Sequence, residues 1–292
     1  MSTRVSPSGG RVRQAVARPF LKWPGGKRQL LEAFEPLFPV SFGRYFEPFV
    51  GSGAVFFRLR STGRLSGSAH SPLLSDHNAE LINAYRVVRD EVDALVGLLA
   101  GYAARHSPET FYAVRALDRN GHTLSDVERA ARTIYLNKTC YNGLYRVNSR
   151  GEFNAPLGRY ARPSILQEGV LRAASAALQG VALEQRDYAA LVDEAGAGDF
   201  FYFDPPYHPL SRTANFTAYT AGAFGPDDQR RLADVYDSLA RRGCHCMLSN
   251  SDTPFIRELY AGYRIETIQA TRAINSKAAG RGPISEVVIL NY

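Results

Sequence analysis

One aromatic stretch that ends in a carboxylate and two prolines constrains the chain more than any other feature. Residues 200–203 read Phe-Phe-Tyr-Phe, and Asp204-Pro205-Pro206-Tyr207 follows them directly. Such a run is typical of a buried strand, and a residue that precedes proline is held in extended backbone, so Asp204 is predicted at the carboxyl edge of a sheet. Ligands bind at that edge in open α/β folds. The stretch therefore predicts a site as well as a strand.

The same stretch also predicts what the site binds. Pro205 and Pro206 have no N–H, so their backbone offers only carbonyl acceptors, and Tyr207 adds a flat aromatic face beside them. The amino group of a planar base fits this arrangement. The alternative is an ordinary strand that ends in a turn, which a lone Asp-Pro would favour. The full sequence Asp204-Pro205-Pro206-Tyr207 instead favours a catalytic site made by these four residues.

Two glycine turns lie nearer the amino terminus. Trp23-Pro24-Gly25-Gly26-Lys27 leads into a predicted helix over residues 29–37, although a simple turn is the alternative interpretation. Residues 45–53 predict a strand and a tight turn, Gly51-Ser52-Gly53, before a helix that begins near Ala54. Asp76 ends the next predicted strand, where its carboxylate could accept hydrogen bonds from ribose hydroxyls. Because the loop is shorter than a dinucleotide fingerprint, it favours a nucleoside without a pyrophosphate.

The part from about residue 105 to residue 172 differs from its surroundings. Ser125 and Glu128 predict a capping box for a helix that ends near Lys138. Turn residues then alternate with basic and aromatic residues over positions 141–160. Such side chains on one hairpin can bind phosphates, read base edges and wedge between bases. The alternative is a solvated loop with scattered tyrosines, and its presence in a chain that is predicted to bind a nucleoside favours nucleic acid.

The remaining segments predict alternating helices and strands. An apolar face at helical spacing predicts a helix over residues 78–100, and Ser164 is predicted to cap another that ends at Gln179. The later predicted elements are strands at 181–185, 200–204 and 244–248 and helices at 188–193, 226–241 and 254–260. Residues 263–268 and 285–290 are predicted to pair antiparallel. This order predicts a doubly wound α/β fold.

Charge and cysteine content narrow the partners and the compartment. A net charge of +7 suits a polyanionic partner. The three cysteines have no metal-ligand spacing, which predicts a reducing compartment, no disulfides and no metal. Residues 1–18 contain no apolar region of signal-peptide length, so they are predicted to be a disordered basic tail and neither a signal peptide nor a membrane anchor.

Together these motifs resemble the Dam-type DNA adenine-N6 methyltransferases. The resemblance begins at Phe20 and includes, in family order, residues 20–27, 47–53, 141–144, 150–154, 158–160, 204–207 and 214–219. It implies a Rossmann-like, doubly wound, seven-stranded mixed sheet with an inserted helical and β-hairpin DNA-recognition domain. It also implies S-adenosylmethionine as cofactor and double-stranded DNA containing GATC as partner, with no membrane, metal or protein partner. The expected domains are a catalytic one (residues 19–104 and 173–292) and the insert (105–172).

The resemblance also assigns residues to roles. Besides the four catalytic residues, it implies a cofactor site of Trp23, Gly26, Lys27, Phe49, Gly51, Gly53, Asp76, Asp187 and Asp204. It implies DNA contacts by Lys22, Lys138, Tyr141, Asn142, Leu144, Arg146, Asn154, Pro156, Arg159 and Tyr160. Among these, Arg146 would read a guanine, and Pro156 would contact a thymine methyl group. Asp187 could instead cap a helix, and Cys140 and Tyr145 depart from the family pattern.

Other methyl acceptors and a non-catalytic role compete with adenine methylation. Cytosine-N4 enzymes commonly carry Ser where this chain has Asp204, and many glutamine or guanine-N2 enzymes carry Asn there, so Asp204 favours adenine. A DNA-binding regulator without catalysis could use the same fold, but the intact cofactor and catalytic motifs argue against it. We therefore expect a site-specific adenine methyltransferase that flips its target base and acts in the cytoplasm, on the nucleoid of a prokaryote or on phage DNA.

Overall fold

A computed structural model describes residues 16–65, 71–119, 123–210, 224–271 and 283–292. Its centre is a seven-stranded mixed sheet in the order β3-β2-β1-β4-β5-β7-β6. The strands are β1 Tyr45–Glu47, β2 Leu73–Asp76, β3 Ala182–Gln185, β4 Phe200–Phe203, β5 His245–Ser251, β6 Arg264–Thr271 and β7 Pro283–Leu290. Strands β1 to β5 pair in parallel, whereas β7 pairs antiparallel with both β5 and β6. This is the predicted doubly wound α/β fold with its antiparallel end.

Helices cover both faces of the sheet, as the alternation of side chains along β4 requires. Phe200 and Tyr202 point into one apolar cluster and Phe201 and Phe203 into the other, because successive side chains of a strand point to opposite faces. The ring of Phe201 stacks on that of Phe46 in the adjacent strand β1, with centroids 4.2 Å apart. A strand buried on both faces carries apolar residues without alternation, which explains the continuous aromatic run.

Nine α-helices are present in the described residues: α1 Leu31–Phe34, α2 Ala54–Ser61, α3 Ala79–Asp90, α4 Val92–Ala104, α5 Pro108–Arg115, α6 Asp126–Thr139, α7 Glu168–Leu178, α8 Pro226–Arg241 and α9 Pro254–Leu259. The capping box of Ser125 and Glu128 is present at the start of α6. Helix α8 begins and ends where the sequence predicts. None of the described helices is long and apolar enough to cross a membrane.

Four helix predictions are wrong in detail. Residues 78–100 form two helices, because the backbone leaves the helical region at Glu91, and α4 then packs on α6 and α7. Residues 27–37 form the short α1 between two 3-10 turns, the second of which contains Pro36. Residues 188–194 form a 3-10 helix rather than an α-helix. Ser164 caps nothing, because α7 begins only at Glu168 after Gln167.

Residues 105–172 pack closely on the rest of the chain. Phe111, Ile134 and Phe153 belong to the same apolar cluster as Leu81 and Leu99 of α3 and α4. The two arms of the predicted hairpin meet at the bridges Cys140–Leu157 and Val147–Phe153. The division of the chain into a catalytic and an inserted domain stays a prediction. The predicted motif at residues 214–219 and all but three residues of the predicted tail lie outside the described residues.

Candidate active site

The carboxyl ends of three neighbouring strands bring the predicted site residues together. Glu47 ends β1, Asp76 ends β2 and Asp204 follows β4. These strands are adjacent and parallel in the order β2-β1-β4, so their ends share one edge of the sheet. Asp204 therefore lies at the edge that the sequence predicts, next to the turn that carries the predicted cofactor residues.

Asp204 is a carboxylate held by two donors at this edge of the sheet. Its Oδ1 lies 2.6 Å from Nζ of Lys27 and accepts a hydrogen bond from Oγ of Ser249 at 3.2 Å. The side chain keeps an exposed fraction of 20%, so it remains accessible. Burial raises the pKa of Asp204 above its ordinary value, and the ammonium of Lys27 opposes that rise. The carboxylate can thus accept a further N–H from a ligand.

Lys27 shows what the space beside Asp204 can bind. Lys27 is 4% exposed, and its ammonium donates to the carbonyl of Gly25 at 2.5 Å and lies 4.5 Å from the centre of the Tyr207 ring. The hydroxyl of Tyr207 donates to Oε2 of Glu286 at 2.7 Å, which fixes the ring. An N–H donor therefore fits between a carboxylate and an aromatic face here, which is the arrangement predicted for the amino group of a base.

Glu47 is a buried carboxyl that the sequence reasoning did not assign to the site. Its Oε2 accepts hydrogen bonds from the hydroxyl of Tyr45 at 2.8 Å and from the backbone N–H of Phe56 at 3.1 Å. A cavity of about 10 Å³ is lined by Glu47, Lys27 and Asp204, which is about the space for one water molecule. Burial is the main cause that raises the pKa of Glu47 from 4.5 to about 8. The one sequence signal for a role of Glu47 in the site is its position at the end of β1.

We expect Glu47→Gln to remove a pH dependence of stability. A folded-state pKa above the unfolded value means that the protonated carboxyl stabilises the fold, and this contribution is lost as the pH rises from 4.5 through about 8. Between pH 5 and 8 the wild type should lose at least about 1.4 kcal/mol more unfolding free energy than the variant, the value of one pKa unit. Urea unfolding at several pH values measures this difference. Glu32→Gln on the exposed side of α1 is the matched control. If the unfolding free energy of Glu47→Gln changes with pH in the same way as that of the wild type, the prediction is refuted.

The two glycines of the second turn are packed so closely that neither position admits a side chain. Gly51 and Gly53 have φ values of +46° and +67°, a region that favours glycine. A Cβ at Gly51 would lie 2.9 Å from the indole of Trp23. The carboxylate of Asp76 accepts the N–H of Gly51 at 3.2 Å and that of Asn78 at 3.0 Å. The turn, the indole and the carboxylate thus form one surface of the predicted cofactor site.

Gly26 belongs to the first glycine turn and faces this surface. Its N–H donates to the carbonyl of Trp23 at 3.1 Å, and a Cβ there would lie 3.4 Å from Oγ of Ser52. The two turns are therefore in contact. The structure brings Trp23, Gly26 and Lys27 next to Gly51 and Asp76, although these two groups are far apart in the sequence.

Phe49 and Asp187 lie on the other side of the turn. The ring of Phe49 packs against those of Tyr188 and Phe224, with centroids 5.2 and 5.9 Å away. Asp187 accepts two hydrogen bonds from Arg231, at 2.8 and 2.9 Å, and caps the 3-10 helix through the N–H of Ala189. Arg231 is the main cause that lowers the pKa of Asp187. The capping role is thus visible, and a cofactor contact by Asp187 stays a prediction.

Most of the predicted DNA-contacting residues lie on one exposed surface. The exposed ones are Lys22, Tyr141, Asn142, Leu144, Arg146, Pro156, Arg159 and Tyr160, whereas Asn154 and Lys138 are half-buried. Arg146 donates from Nε and Nη2 to Oδ1 and the carbonyl of Asn154, at 2.7 and 3.0 Å. Lys138 donates to Gln167 at 3.3 Å, and burial lowers its pKa to about 8. Contacts with DNA by these residues remain predictions.

Two side chains, Asn137 and Tyr145, join this surface to the first glycine turn through contacts that the sequence did not reveal. The amide of Asn137 accepts the N–H of Lys22 at 2.8 Å and donates to the carbonyls of Lys22 and Gly143, at 2.6 and 3.0 Å. The ring of Tyr145 stacks on the indole of Trp23, with centroids 5.4 Å apart. The predicted cofactor site and hairpin therefore share packed residues. Within the described part of the chain, no group of three acidic, histidine or cysteine side chains could hold a metal ion.

Known proteins resemble the chain over most of its length. A family model for D12 class N6 adenine-specific DNA methyltransferases matches residues 23–274. The type II methyltransferase M1.LlaDCHI of Lactococcus lactis subsp. cremoris is 42% identical over 279 residues, which cover 94% of this chain and 95% of the relative. The type II methyltransferase M.MjaIII of Methanocaldococcus jannaschii is 41% identical over 290 residues, with 94% and 99% covered.

A third relative bears the activity in its name. The DNA adenine methylase of Escherichia coli K12 is 35% identical over 280 residues, which cover 94% of this chain and 95% of the relative. The matched region contains both glycine turns, the hairpin and the sequence from Asp204 to Tyr207. The family predicted from these motifs is therefore confirmed. The chain belongs to the D12 class of N6 adenine-specific DNA methyltransferases.

Proposed function

We propose that this methyltransferase takes the methyl group from S-adenosylmethionine and transfers it to N6 of an adenine in GATC, after that adenine has been flipped out of the duplex. The observation that carries the proposal is the N–H donor of Lys27 between the Asp204 carboxylate and the Tyr207 ring. An adenine stacked on Tyr207 would bring its amino group to the same acceptor. Because the substrate is DNA, the proposed place of action is the cytoplasm, at the nucleoid or on phage DNA.

The proposed chemistry follows from the weak nucleophilicity of the target nitrogen. The lone pair of N6 is delocalised into the ring, and acceptors that pull on its two N–H groups favour a more pyramidal nitrogen. Asp204 and the carbonyl of Pro205 supply these acceptors, and Tyr207 orients the base. Positioning and electrostatics then provide most of the rate. Flipping the base costs a few kcal/mol of pairing and stacking, which contacts by the hairpin offset.

S-adenosylmethionine would supply an electrophilic methyl group on its sulfonium. The chemical types of the side chains at the sheet edge match the groups of this ligand. The tight turn at Gly51 holds its N–H against the carboxylate of Asp76, whose remaining lone pairs can accept hydrogen bonds from ribose hydroxyls. Phe49 offers an aromatic face for the adenine, and Lys27 offers a cation for the carboxylate. These residues provide partners for a ribose, an adenine and a carboxylate, which agrees with a nucleoside ligand that has no pyrophosphate.

We expect Asp76→Asn to weaken S-adenosylmethionine binding by about 1 kcal/mol, the scale of one net hydrogen bond. The amide keeps one oxygen for the N–H of Gly51 but loses the second acceptor and the charge. Titration calorimetry measures the affinity, and thermal unfolding shows whether the turn persists. Ser61→Ala, on the surface at the end of α2 and away from the predicted cofactor residues, is the control and should bind S-adenosylmethionine as the wild type does. Unchanged affinity in a folded Asp76→Asn would remove Asp76 from the cofactor site.

GATC as the target is supported by the resemblance of the hairpin residues and by their exposure. Arg146 and Pro156 occupy the positions that the resemblance assigns to guanine and thymine contacts, and both are exposed. The relatives named type II methyltransferases do not state a target sequence in their names.

Methylation of a random-sequence duplex library with labelled S-adenosylmethionine tests the whole proposal. We expect N6-methyladenine at GATC, found by mapping the modified positions. Methyladenine in another sequence would refute the target but keep the reaction, and methylcytosine would refute the base. Absence of transfer by a protein that binds the same duplexes would refute catalysis and leave a DNA-binding regulator.

A further inference from the structure

We propose that Gln229 and Asn250 are positioning residues that hold the catalytic loop so that the carbonyl of Pro205 faces the target amino group. This inference rests on the proposed function. It concerns two buried amides outside the predicted site, neither of which could be assigned a role from the sequence. We call this pair the amide clamp, and the segment Asp204 to His208 the catalytic loop.

The amide clamp holds the catalytic loop at two points. Gln229, on the first turns of α8, is 1% exposed and donates from Nε2 to the carbonyl of Pro206 at 2.8 Å. Its Oε1 accepts from Nδ2 of Asn250 at 3.0 Å. Asn250, on β5, has no exposed surface, and its Oδ1 accepts the N–H of His208 at 3.0 Å. One chain of hydrogen bonds therefore runs from Pro206 through both amides to His208.

The orientation of both amides is fixed by their backbone partners. A carbonyl can only accept, so the Gln229 group that faces Pro206 must be the NH₂. The N–H groups of His208 and Ser251 both donate to Asn250, at 3.0 and 2.8 Å, so that atom must be the oxygen. The remaining oxygen of Gln229 and NH₂ of Asn250 then face each other as acceptor and donor. Neither amide can be reversed without losing bonds.

The clamp determines which carbonyl of the loop is available to a ligand. Pro205 and Pro206 present adjacent carbonyls and no N–H, and Gln229 occupies the carbonyl of Pro206. No hydrogen bond from a described residue engages the carbonyl of Pro205. The proline rings limit rotation, so fixing Pro206 also fixes the direction of its neighbour. Pro205 is thereby left as the acceptor that can share the amino group with Asp204.

The residues on either side of Asn250 support the same loop. Ser249 donates to the carboxylate of Asp204 at 3.2 Å, and Ser251 donates to the carbonyl of His208 at 2.5 Å. Three consecutive residues of β5 thus hold the start and the end of the catalytic loop, and Gln229 holds its middle. A displacement of about 1 Å at a reacting group can cost about 100-fold in rate, so the clamp bears directly on kcat.

Gln229→Glu is the sharpest test, because the two side chains have the same shape. An ionised Glu would turn an acceptor towards the carbonyl of Pro206, so we expect kcat at pH 8 to fall about 10- to 100-fold. Protonation restores a donor, so the ratio of variant to wild-type kcat should recover as the pH is lowered. Gln229→Met, which has no donor for the carbonyl of Pro206, should lose kcat at every pH. The Kd values for S-adenosylmethionine and for a GATC duplex should stay within about twofold in both.

Gln179→Glu is the matched control. Gln179 also donates from Nε2 to a backbone carbonyl, that of Arg89 at 2.8 Å, but at the exposed end of α7. We expect the kcat of the Gln179→Glu variant to equal that of the wild type at every pH. Thermal unfolding of all variants tells a displaced loop from a damaged fold.

The outcomes separate the clamp from the proposed function. Folded Gln229→Glu and Gln229→Met variants with wild-type kcat would overturn the clamp. Variants in which kcat, cofactor affinity and melting temperature all fall together would also overturn it, because that result indicates a merely structural role for the two amides. A wild-type protein that transfers no methyl group would overturn the proposed function, and the role of the clamp with it.

Discussion

Asp204→Asn is expected to lower kcat for adenine methylation by about 10²- to 10³-fold, the loss typical for removal of one charge-stabilising group from an active site. The carboxylate is the acceptor that activates the target nitrogen in the proposed mechanism, and an amide accepts more weakly. Binding of S-adenosylmethionine should stay within a few-fold, because the loss falls on the target amino group. Single-turnover methylation measures the rate, and titration calorimetry measures the affinity.

Asparagine is a better replacement than alanine at this position. Asp204 contacts Lys27 and Ser249 at 2.6 and 3.2 Å, and alanine would leave the buried ammonium without its carboxylate and with only the carbonyl of Gly25 as acceptor. The amide oxygen can still accept from both donors, so the loop keeps its neighbours. Asp252→Asn, which alters a carboxylate paired with Arg257 at 2.6 Å after β5, is the matched control. Equal losses of rate and cofactor affinity would mean that Asp204 is primarily a cofactor ligand.

The position of Asp204 could be predicted because local sequence determines it. A strand of four aromatic residues buries both faces, and the prolines end it at once, so the carboxylate has to follow at the edge of the sheet. The tight turn of Gly51 and Gly53 is equally local, since both residues adopt positive φ. These signals need no knowledge of distant residues.

The electrostatics of the site could not be predicted, because they depend on residues far apart in the chain. The pairing of Lys27 with Asp204 joins the first glycine turn to the catalytic loop. The burial of Glu47 and the clamp of Gln229 and Asn250 likewise appear only once the sheet has formed. Glycines and prolines indicate where a chain turns, but not which buried polar groups meet there.

Tertiary packing also explains the helix predictions that were wrong. The apolar spacing continues across Glu91, so the sequence alone predicts one helix there, yet a break lets α4 pack on α6. Ser164 has the right type for a helix cap, but α7 begins only after Gln167. Propensity is a weak prior that packing overrides. The core pattern was therefore predicted better than the ends of the helices.

Arg146→Ala is expected to relax specificity at one guanine of GATC, with a loss of about 1–3 kcal/mol of discrimination there. Asn154 holds Arg146 by its Nε and Nη2, which leaves Nη1 and the outer N–H of Nη2 directed away from that contact. Two parallel donors at the end of a guanidinium match O6 and N7 of guanine. The hairpin thus presents the arginine already oriented, so its loss should affect base selection more than overall affinity.

Arg159→Gln provides the comparison, because Arg159 is exposed on the same surface and is predicted to contact phosphate. Phosphates look alike at every site, so this variant should slow methylation of all duplexes by a similar factor and reduce the salt dependence of binding. The measurement is kcat/KM for GATC and for each single-base variant of it at fixed salt, since salt shifts all affinities together. If Arg146→Ala instead lowers kcat/KM by the same factor for every duplex and keeps their ranking, Arg146 is a backbone contact and another hairpin residue reads the base.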